Sequence, residues 1–250
     1  MKGTLMYYIV FDMEFNQDPA SFMAEVRSTY PFEIIQIGAV KLDEKFHTIE
    51  TFNHYVKPSI YKDINPVITE LTGITTNQLQ QEKTFPMIYD SFLSFTGHND
   101  SVFCTWGMSD LKQLYRNCEY HGLDFTAFPD AYINLQPYAS LHLGQSKKKL
   151  LNLKFTVEAL HIPITQPFHD ALSDSYYTAK IFEKIYQTSM KPKKYSQHKS
   201  STLPRQIKKT LDSEMLITQF EKMLKRTLTE EEKRMVILSY HMGKTGQFLK

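Results

Sequence analysis

The run from residue 4 to residue 11, TLMYYIVF, is apolar at almost every position and rich in Ile, Val, Tyr and Phe. A strand with one wet face alternates apolar and polar side chains, so an unbroken run of this length reads as a strand covered on both faces. Such a strand needs layers packed above and below its sheet, and the chain that follows supplies them. Residues 34–42 and 46–56 read as two further strands joined by a polar Asp43-Glu44-Lys45 turn, an antiparallel hairpin extending the first strand. Asn65-Pro66 is a good helix start, with Gly73 ending that helix; Thr84 and Pro86 open a second that Gly97 closes. A short strand at 101–105 precedes a helix from about 109 to 122, with Leu111, Leu114, Tyr115 and Cys118 on one face. Residues 151–160 and 171–188 read as amphipathic helices. Three strands followed by helices with one or two interspersed strands predict an α/β fold on a mixed sheet.

The 250 residues are 42% apolar and 22% charged, an ordinary globular composition. No apolar run approaches the ~18–20 residues of a membrane span, and the first run is too short for a signal peptide, so a cytoplasmic protein without a membrane partner is expected. Cys104 and Cys118 lack CxxC spacing, which argues against a disulfide framework or a zinc site. The net charge of +2 hides an asymmetry. Residues 1–189 hold 15 basic and 21 acidic side chains, a net of −6, whereas residues 190–250 hold 14 and 6, a net of +8. Residues 191–209 carry seven basic residues, no acidic one, Pro192 and Pro204. The expected organisation is a main domain over 1–189, a basic linker over 190–210 and a small helical appendix over 211–250. In the appendix, Leu216, Phe220 and Met223 share a helix face, Thr229 with Glu232 forms a capping box, and Gly243 is expected to end the last helix.

Carboxylates carry the sharpest chemical signal. In Phe11-Asp12-Met13-Glu14 the two acids are two residues apart at the end of the apolar strand, so they share one face about 6–7 Å apart. Paired anions on a buried strand end are costly unless a cation neutralises them, although a solvated strand end is the plainer alternative. In His169-Asp170-Ala171-Leu172-Ser173-Asp174, a single continuous helix would hold His169 and Asp174 about 140° apart. If they serve one site, His169 precedes the helix, leaving Asp174 on its second turn and Asp170 as the N-cap. Asp110, after Trp106-Gly107-Met108-Ser109, reads equally as an ordinary acidic residue of a first helical turn.

Taken together, Asp12, Glu14, Asp110, His169 and Asp174 have the order and spacing of the DEDDh 3′-to-5′ exonucleases, a superfamily that residues 5–186 resemble. The blocks Glu33 to Val40 (EIIQIGAV), Val56-Lys57-Pro58 and Leu71-Thr72-Gly73-Ile74-Thr75 are similar to its second strand and the turn and helix that follow. Trp106-Gly107 and Asp12-Met13-Glu14 point to the branch with the histone-messenger and RNA-interference exonucleases and the bacterial sporulation-inhibitor proteins. The resemblance implies a ribonuclease H-like mixed sheet flanked by helices. It also implies a metal-dependent exonuclease acting on the 3′ ends of single-stranded RNA or DNA and releasing nucleoside 5′-monophosphates. Two divalent cations, Mg²⁺ or Mn²⁺, are implied, with Asp12 bridging them, Glu14 and Asp174 on the nucleophile-side metal, Asp110 acting directly or through water, and His169 as general base. A nonenzymatic nucleic-acid-binding or regulatory module on the same fold is the rival reading.

For substrate, the resemblance implies a clamp on the terminal nucleotide from Met13, Phe15, Leu71, Thr72 and Ile74; ordinary core packing is the alternative for each. Lys147-Lys148-Lys149 reads as phosphate contact or as solvated surface. The basic stretch after residue 190 reads as a tether for substrate or a ribonucleoprotein partner, or as a linker to a stabilising helix pair.

Overall fold

The computed structural model describes residues 6–17, 30, 32–97, 100–195 and 213–244. It divides into two compact units, Met1–Ser196 and Gln197–Lys250. In the first, β1 (Tyr7–Gln17), β2 (Phe32–Leu42) and β3 (Thr48–Tyr55) form an antiparallel meander. Two parallel strands, β4 (Ser101–Thr105) and β5 (Ala131–Asn134), extend the sheet from β1, and β6 (Lys193–Lys194) closes it antiparallel to β5. The spatial order is β3-β2-β1-β4-β5-β6. The helices of this unit are α1 (Pro66–Thr72), α2 (Thr76–Leu79), α3 (Phe85–Thr96), α4 (Ser109–His121), α5 (Gln136–His142), α6 (Leu153–Ala159) and α7 (Ala171–Ile185). None among the described residues is long and apolar enough to cross a membrane.

The period of two along β1 sorts its side chains into two cores. Ile9, Phe11 and Met13 join a cluster with Phe92 of α3 and Leu111 and Leu114 of α4, while Tyr8 and Val10 join Val157 of α6 and Tyr177, Ile181 and Phe182 of α7. The continuous apolar run is therefore a strand with helices on both faces, as its composition requires. Asn65 caps α1 through its side chain and Gly73 ends it, so the Asn-Pro and Gly signals act as expected.

Several boundaries in this unit differ from the sequence reading, three of them near the acids or the basic stretch. β1 does not stop before the acids; it continues through Asp12 and Glu14 to Gln17, because β2 extends to Phe32 and pairs with it throughout. The α7 helix starts at Ala171, which makes Asp174 its fourth residue, within the first turn and not the second. The chain beyond α7 stays with the first unit. Met190 is buried in the α7-side core and Lys193 and Lys194 pair with β5, so the basic stretch begins inside the sheet. Its remainder, residues 196–212, lies outside the described residues, as do residues 1–5 of the first apolar run.

The second unit contains α8 (Ser213–Leu224) and α9 (Glu230–Lys244). The capping box forms reciprocally, with Thr229 N–H donating to Glu232 Oε2 at 2.9 Å and Glu232 N–H to Thr229 Oγ1 at 3.3 Å. Arg226 adds a two-pronged contact to the same Glu232 carboxylate at 2.9 and 2.6 Å. α9 runs through Gly243 to Lys244 rather than ending at the glycine; a helical Gly costs only about 1 kcal/mol relative to Ala.

Candidate active site

A gap in the sheet creates the site. β4 pairs with β1 only from Tyr7 to Val10, after which β4 ends at Thr105 and the edge of β1 carrying Phe11 to Gln17 loses its neighbour on that side. The chain turns through Trp106 and Gly107 into α4, and the Asp110 carboxylate returns to accept the Met13 backbone N–H and its own. Asp110 thus replaces a missing strand acceptor. The turn is fixed by Asn134 Oδ1, which accepts from Gly107 N–H at 3.1 Å, and by Thr105 Oγ1, which donates to the Gly107 carbonyl at 2.6 Å. Gly107 has φ +96°, a region that disfavours side chains.

Asp12 and Glu14 have the parity of Tyr8 and Val10, so they face α7. That helix approaches β2 at Gly38, the residue paired with Asp12, so closely that a Cβ there would lie 2.1 Å from the Ala171 carbonyl carbon. Ser175 Oγ donates to the Gly38 carbonyl at 2.8 Å. Gln36, fully buried on the same strand, holds the helix entry. Its Nε2 donates to Asp170 Oδ2 at 2.8 Å and to Asn53 Oδ1 at 3.0 Å, and its Oε1 accepts from Ala171 N–H at 3.2 Å. Asp170 is the N-cap, accepting from Ser173 N–H at 2.9 Å. His169 sits just outside the helix, exposed and with φ +63°, and its N–H donates to Asp174 Oδ2 at 3.2 Å. As the spacing requires, the two residues converge only because the histidine is off the helix. One ligand atom each from Glu14, His169 and Asp174 lies within 4.8 Å of the others.

The electrostatics of this cleft are those of uncompensated anions. Burial first, then the charges of Asp110, Glu14, Asp174 and Asp170, hold the Asp12 carboxyl well above its ordinary range. Burial, then Asp174, Asp110 and Asp170, pushes Glu14 up to about 8. Asp110 rises to about 7, chiefly through burial, and Asp174 to about 6, also through burial first. Asp170 differs: burial works against its charge, but the bonds from Gln36, Ser173 and Leu172 more than offset this and lower its pKa. It is a cap, not a member of the anionic set.

Those groups fit divalent cations. All but the imidazole offer hard oxygens, the strongest influences acting between the acids are mutually repulsive, and the buried Oδ1 of Asp174 has no hydrogen-bond partner among the described residues.

The residues expected to clamp substrate separate. Met13 is 3% exposed and packs on the opposite face of β1 from the acids, as the alternation of a strand dictates; Ile74 is 2% exposed in a small cluster with Ile35, Ile64 and Leu79. The side chains of both therefore pack in the core. Phe15 is half-buried against Phe32, beyond a register shift after Glu14. Leu71 is exposed at the end of α1, and Thr72 Oγ1 donates to the Ile68 carbonyl at 2.8 Å and accepts from Ile74 N–H at 3.1 Å. Reading the sequence for chemistry passed over Gln36 and Gly38, which carry none. Only their place in the apolar strand, a buried amide and a residue without a side chain among branched ones, marks them.

A family model described as Exonuclease (RNase_T) matches residues 9–182. The human protein named ERI1 exoribonuclease 3 is 29% identical over 189 residues, covering 72% of this chain and 53% of the relative. The Caenorhabditis elegans 3′-5′ exonuclease crn-4 is 25% identical over 198 residues, covering 73% and 64%. The chain spans about half the length of the curated relatives it matches. Among solved structures, the nuclease domain of 3′hExo, a DEDDh family member bound to rAMP, superposes with a TM-score of 0.65 at 22% identity, covering 78% of this chain and 99% of that one. The mixed sheet flanked by helices is thus the ribonuclease H-like fold of these nucleases. With the match spanning both ends of the acidic constellation, from β1 to α7, the chain belongs to the exonuclease family, within the DEDDh 3′-5′ exonuclease superfamily.

Proposed function

We propose that the protein is a metal-dependent 3′-to-5′ exonuclease that hydrolyses single-stranded RNA or DNA from its 3′ end and releases nucleoside 5′-monophosphates. The observation that carries this reading is the convergence of Glu14, His169 and Asp174 within 4.8 Å, electrostatically joined to Asp12 and Asp110. Asp12, Glu14 and Asp174 would hold two divalent cations, Mg²⁺ or Mn²⁺, with Asp110 contributing directly or through a water. When bound, such a pair neutralises the scissile phosphate and lowers the pKa of water.

The chain's own groups do the rest. His169 takes the proton of the attacking water on a ring nitrogen, acting as the general base. Water oxygen forms the new P–O bond as the bond to the upstream 3′-oxygen breaks, and that oxygen leaves as a hydroxyl after gaining a proton from solvent water. Asp170 and Gln36 keep the start of α7 in place, and the N–H bond of His169 to Asp174 ties the histidine to that helix. Exposed Leu71 and half-buried Phe15 remain to contact the terminal nucleotide. The basic chain after residue 190 tethers substrate or a ribonucleoprotein partner. A purely binding module has no need of all five acidic and imidazole positions, and all five are filled.

The test is a 5′-labelled oligonucleotide, RNA and DNA in parallel, incubated with Mg²⁺ or Mn²⁺. Shortening from the 3′ end with mononucleotide release is expected, with loss of at least 10²-fold in Asp12→Ala and His169→Ala. Undiminished hydrolysis by both variants, or none by the wild type with either ion, refutes the proposal.

A further inference from the structure

A cavity of about 160 Å³ lies at the other side of the turn that positions Asp110, and its walls include Lys147, Lys191, Lys193, Tyr132 and Tyr138. Two basic runs separated in sequence meet there. β6 pairs only with Ala131 and Tyr132 of β5, placing Lys193 opposite Tyr132; the same register carried back sets Lys191 level with Asn134. Lys147 comes from the loop after α5, with Nζ 5.9 Å from the Tyr138 ring centroid. Among the described residues no carboxylate pairs with any of these three lysines, whereas the adjacent Lys194 is bound to Asp130 at 3.0 Å. Three clustered ammonium groups without a counter-charge, beside two phenol rings, form a receptor for an anion joined to a flat ring.

The cavity is tied to the acidic cleft. Met108, two residues before Asp110, is part of its wall, and so is Asn134, whose Oδ1 holds Gly107. Through β4, Ile133 of β5 is level with Val10 of β1, just short of Asp12. β5 is two strands from β1, or about 10 Å at ~4.8 Å per strand. A stacked strand of nucleic acid advances about 3.4 Å per nucleotide, so this lateral offset alone sets the cavity at least about three nucleotides from the acids. Resting on the exonuclease reading, which puts the 3′ terminus at the acids, any nucleotide at that distance is upstream.

We propose that this Lys147, Lys191, Lys193, Tyr132, Tyr138 cavity is an upstream subsite that holds a phosphodiester and a stacked base of single-stranded nucleic acid at least about three nucleotides from the scissile bond. It offsets the repulsion between a polyanion and the acidic cleft.

The experiment compares wild type with the triple variant Lys147→Ala/Lys191→Ala/Lys193→Ala, all exposed positions. Binding of a labelled 12-nucleotide single-stranded RNA is measured by anisotropy in EDTA from 50 to 200 mM salt. Each phosphate neutralised contributes about 0.7 to the log–log slope for single strands, so the one phosphodiester held here predicts that wild-type affinity falls about 2.6-fold more over this fourfold salt range than the variant's. With Mg²⁺, the variant's kcat/KM should fall on the 12-mer and stay unchanged on a dinucleotide, which cannot reach the cavity. Equal salt dependence in the two proteins, or equal loss on both substrates, overturns the subsite. If the wild type hydrolyses neither substrate, the exonuclease reading fails, while the salt comparison still decides whether the cavity binds the strand.

Discussion

Replacing Gly38 with alanine isolates the positioning of α7 from the chemistry of the residues on it. The added Cβ falls 2.1 Å from both the Ala171 carbonyl carbon and the Leu172 nitrogen, and 2.4 Å from the Ala171 oxygen. These are backbone atoms of the first helical turn and have no rotamer by which to yield. Restoring an ordinary contact of about 3.4 Å requires α7 to move away from β2 by more than 1 Å. Overpacking of this kind costs about 1–3 kcal/mol, which lowers Tm by about 2–4 °C per kcal/mol in a protein of this size. The functional loss should be larger, because the same turn carries Asp174 and fixes Asp170 and His169 just before it, while Asp12 and Glu14 stay on the sheet. A displacement near 1 Å between reacting groups costs about 10²-fold in rate. Ser175→Ala is the control: it removes the 2.8 Å bond to the Gly38 carbonyl, at about 1 kcal/mol, without forcing the helix away. Thermal melts and kcat on a single-stranded oligonucleotide are measured for both. Gly38→Ala should lose roughly 10²-fold in kcat with a modest fall in Tm, and Ser175→Ala should lose stability with little change in rate. A Gly38→Ala protein with wild-type kcat refutes the claim that the helix–strand contact sets the site.

The protonation of the cleft makes metal-free stability depend on pH. The pKa values of Glu14, Asp110 and Asp174 are raised on folding to about 8, 7 and 6, so their contribution is complete below about pH 4 and is lost as pH climbs through those values. Melts in EDTA should therefore show Tm falling between pH 5 and pH 8, and a rising Tm contradicts the assignment of buried, mutually repelling carboxyls. Mn²⁺ competes with those protons, so its stabilisation should be larger at pH 8 than at pH 5; thermal-shift titrations at the two values check this. Gln36→Leu, which removes the bonds to Asp170 and Ala171 but preserves bulk, should cost about 1–3 kcal/mol and reduce kcat more than it changes KM. Steady-state kinetics that show a KM effect alone would place Gln36 outside the positioning of α7.

Much of the fold is legible because local signals agree with the tertiary solution. The apolar run of β1, the Asp43-Glu44-Lys45 hairpin turn, the Asn65 cap with Gly73, and the Gly97 and Gly122 helix ends each act within a few residues. β5 and β6 are harder to locate from sequence because they are short, four and two residues. Ala131–Asn134 is a strand through its pairing with β4, and Lys193–Lys194 has no strand propensity and is defined wholly by β5. The same reason separates the acids from the clamp. Asp12, Glu14, His169 and Asp174 declare themselves by residue type and spacing, whereas Met13 and Ile74 are apolar residues that serve a core or a ligand equally well until their facing is known.

The gap beside β1 explains why the acids belong where they are. A strand paired on both edges has no room for a phosphodiester, and one unpaired on a buried edge leaves N–H groups without acceptors. Here β4 ends at Thr105, five residues before Asp110, and the carboxylate meets the Met13 N–H on the edge that β4 has left. The acid that completes the backbone hydrogen bonding is therefore also drawn into the cleft with Asp12. Its replacement by Asn would retain an acceptor for Met13 but remove a charge, whereas Ala would remove both. The difference in stability between those variants measures the structural share of Asp110; the loss of activity common to both measures its electrostatic share.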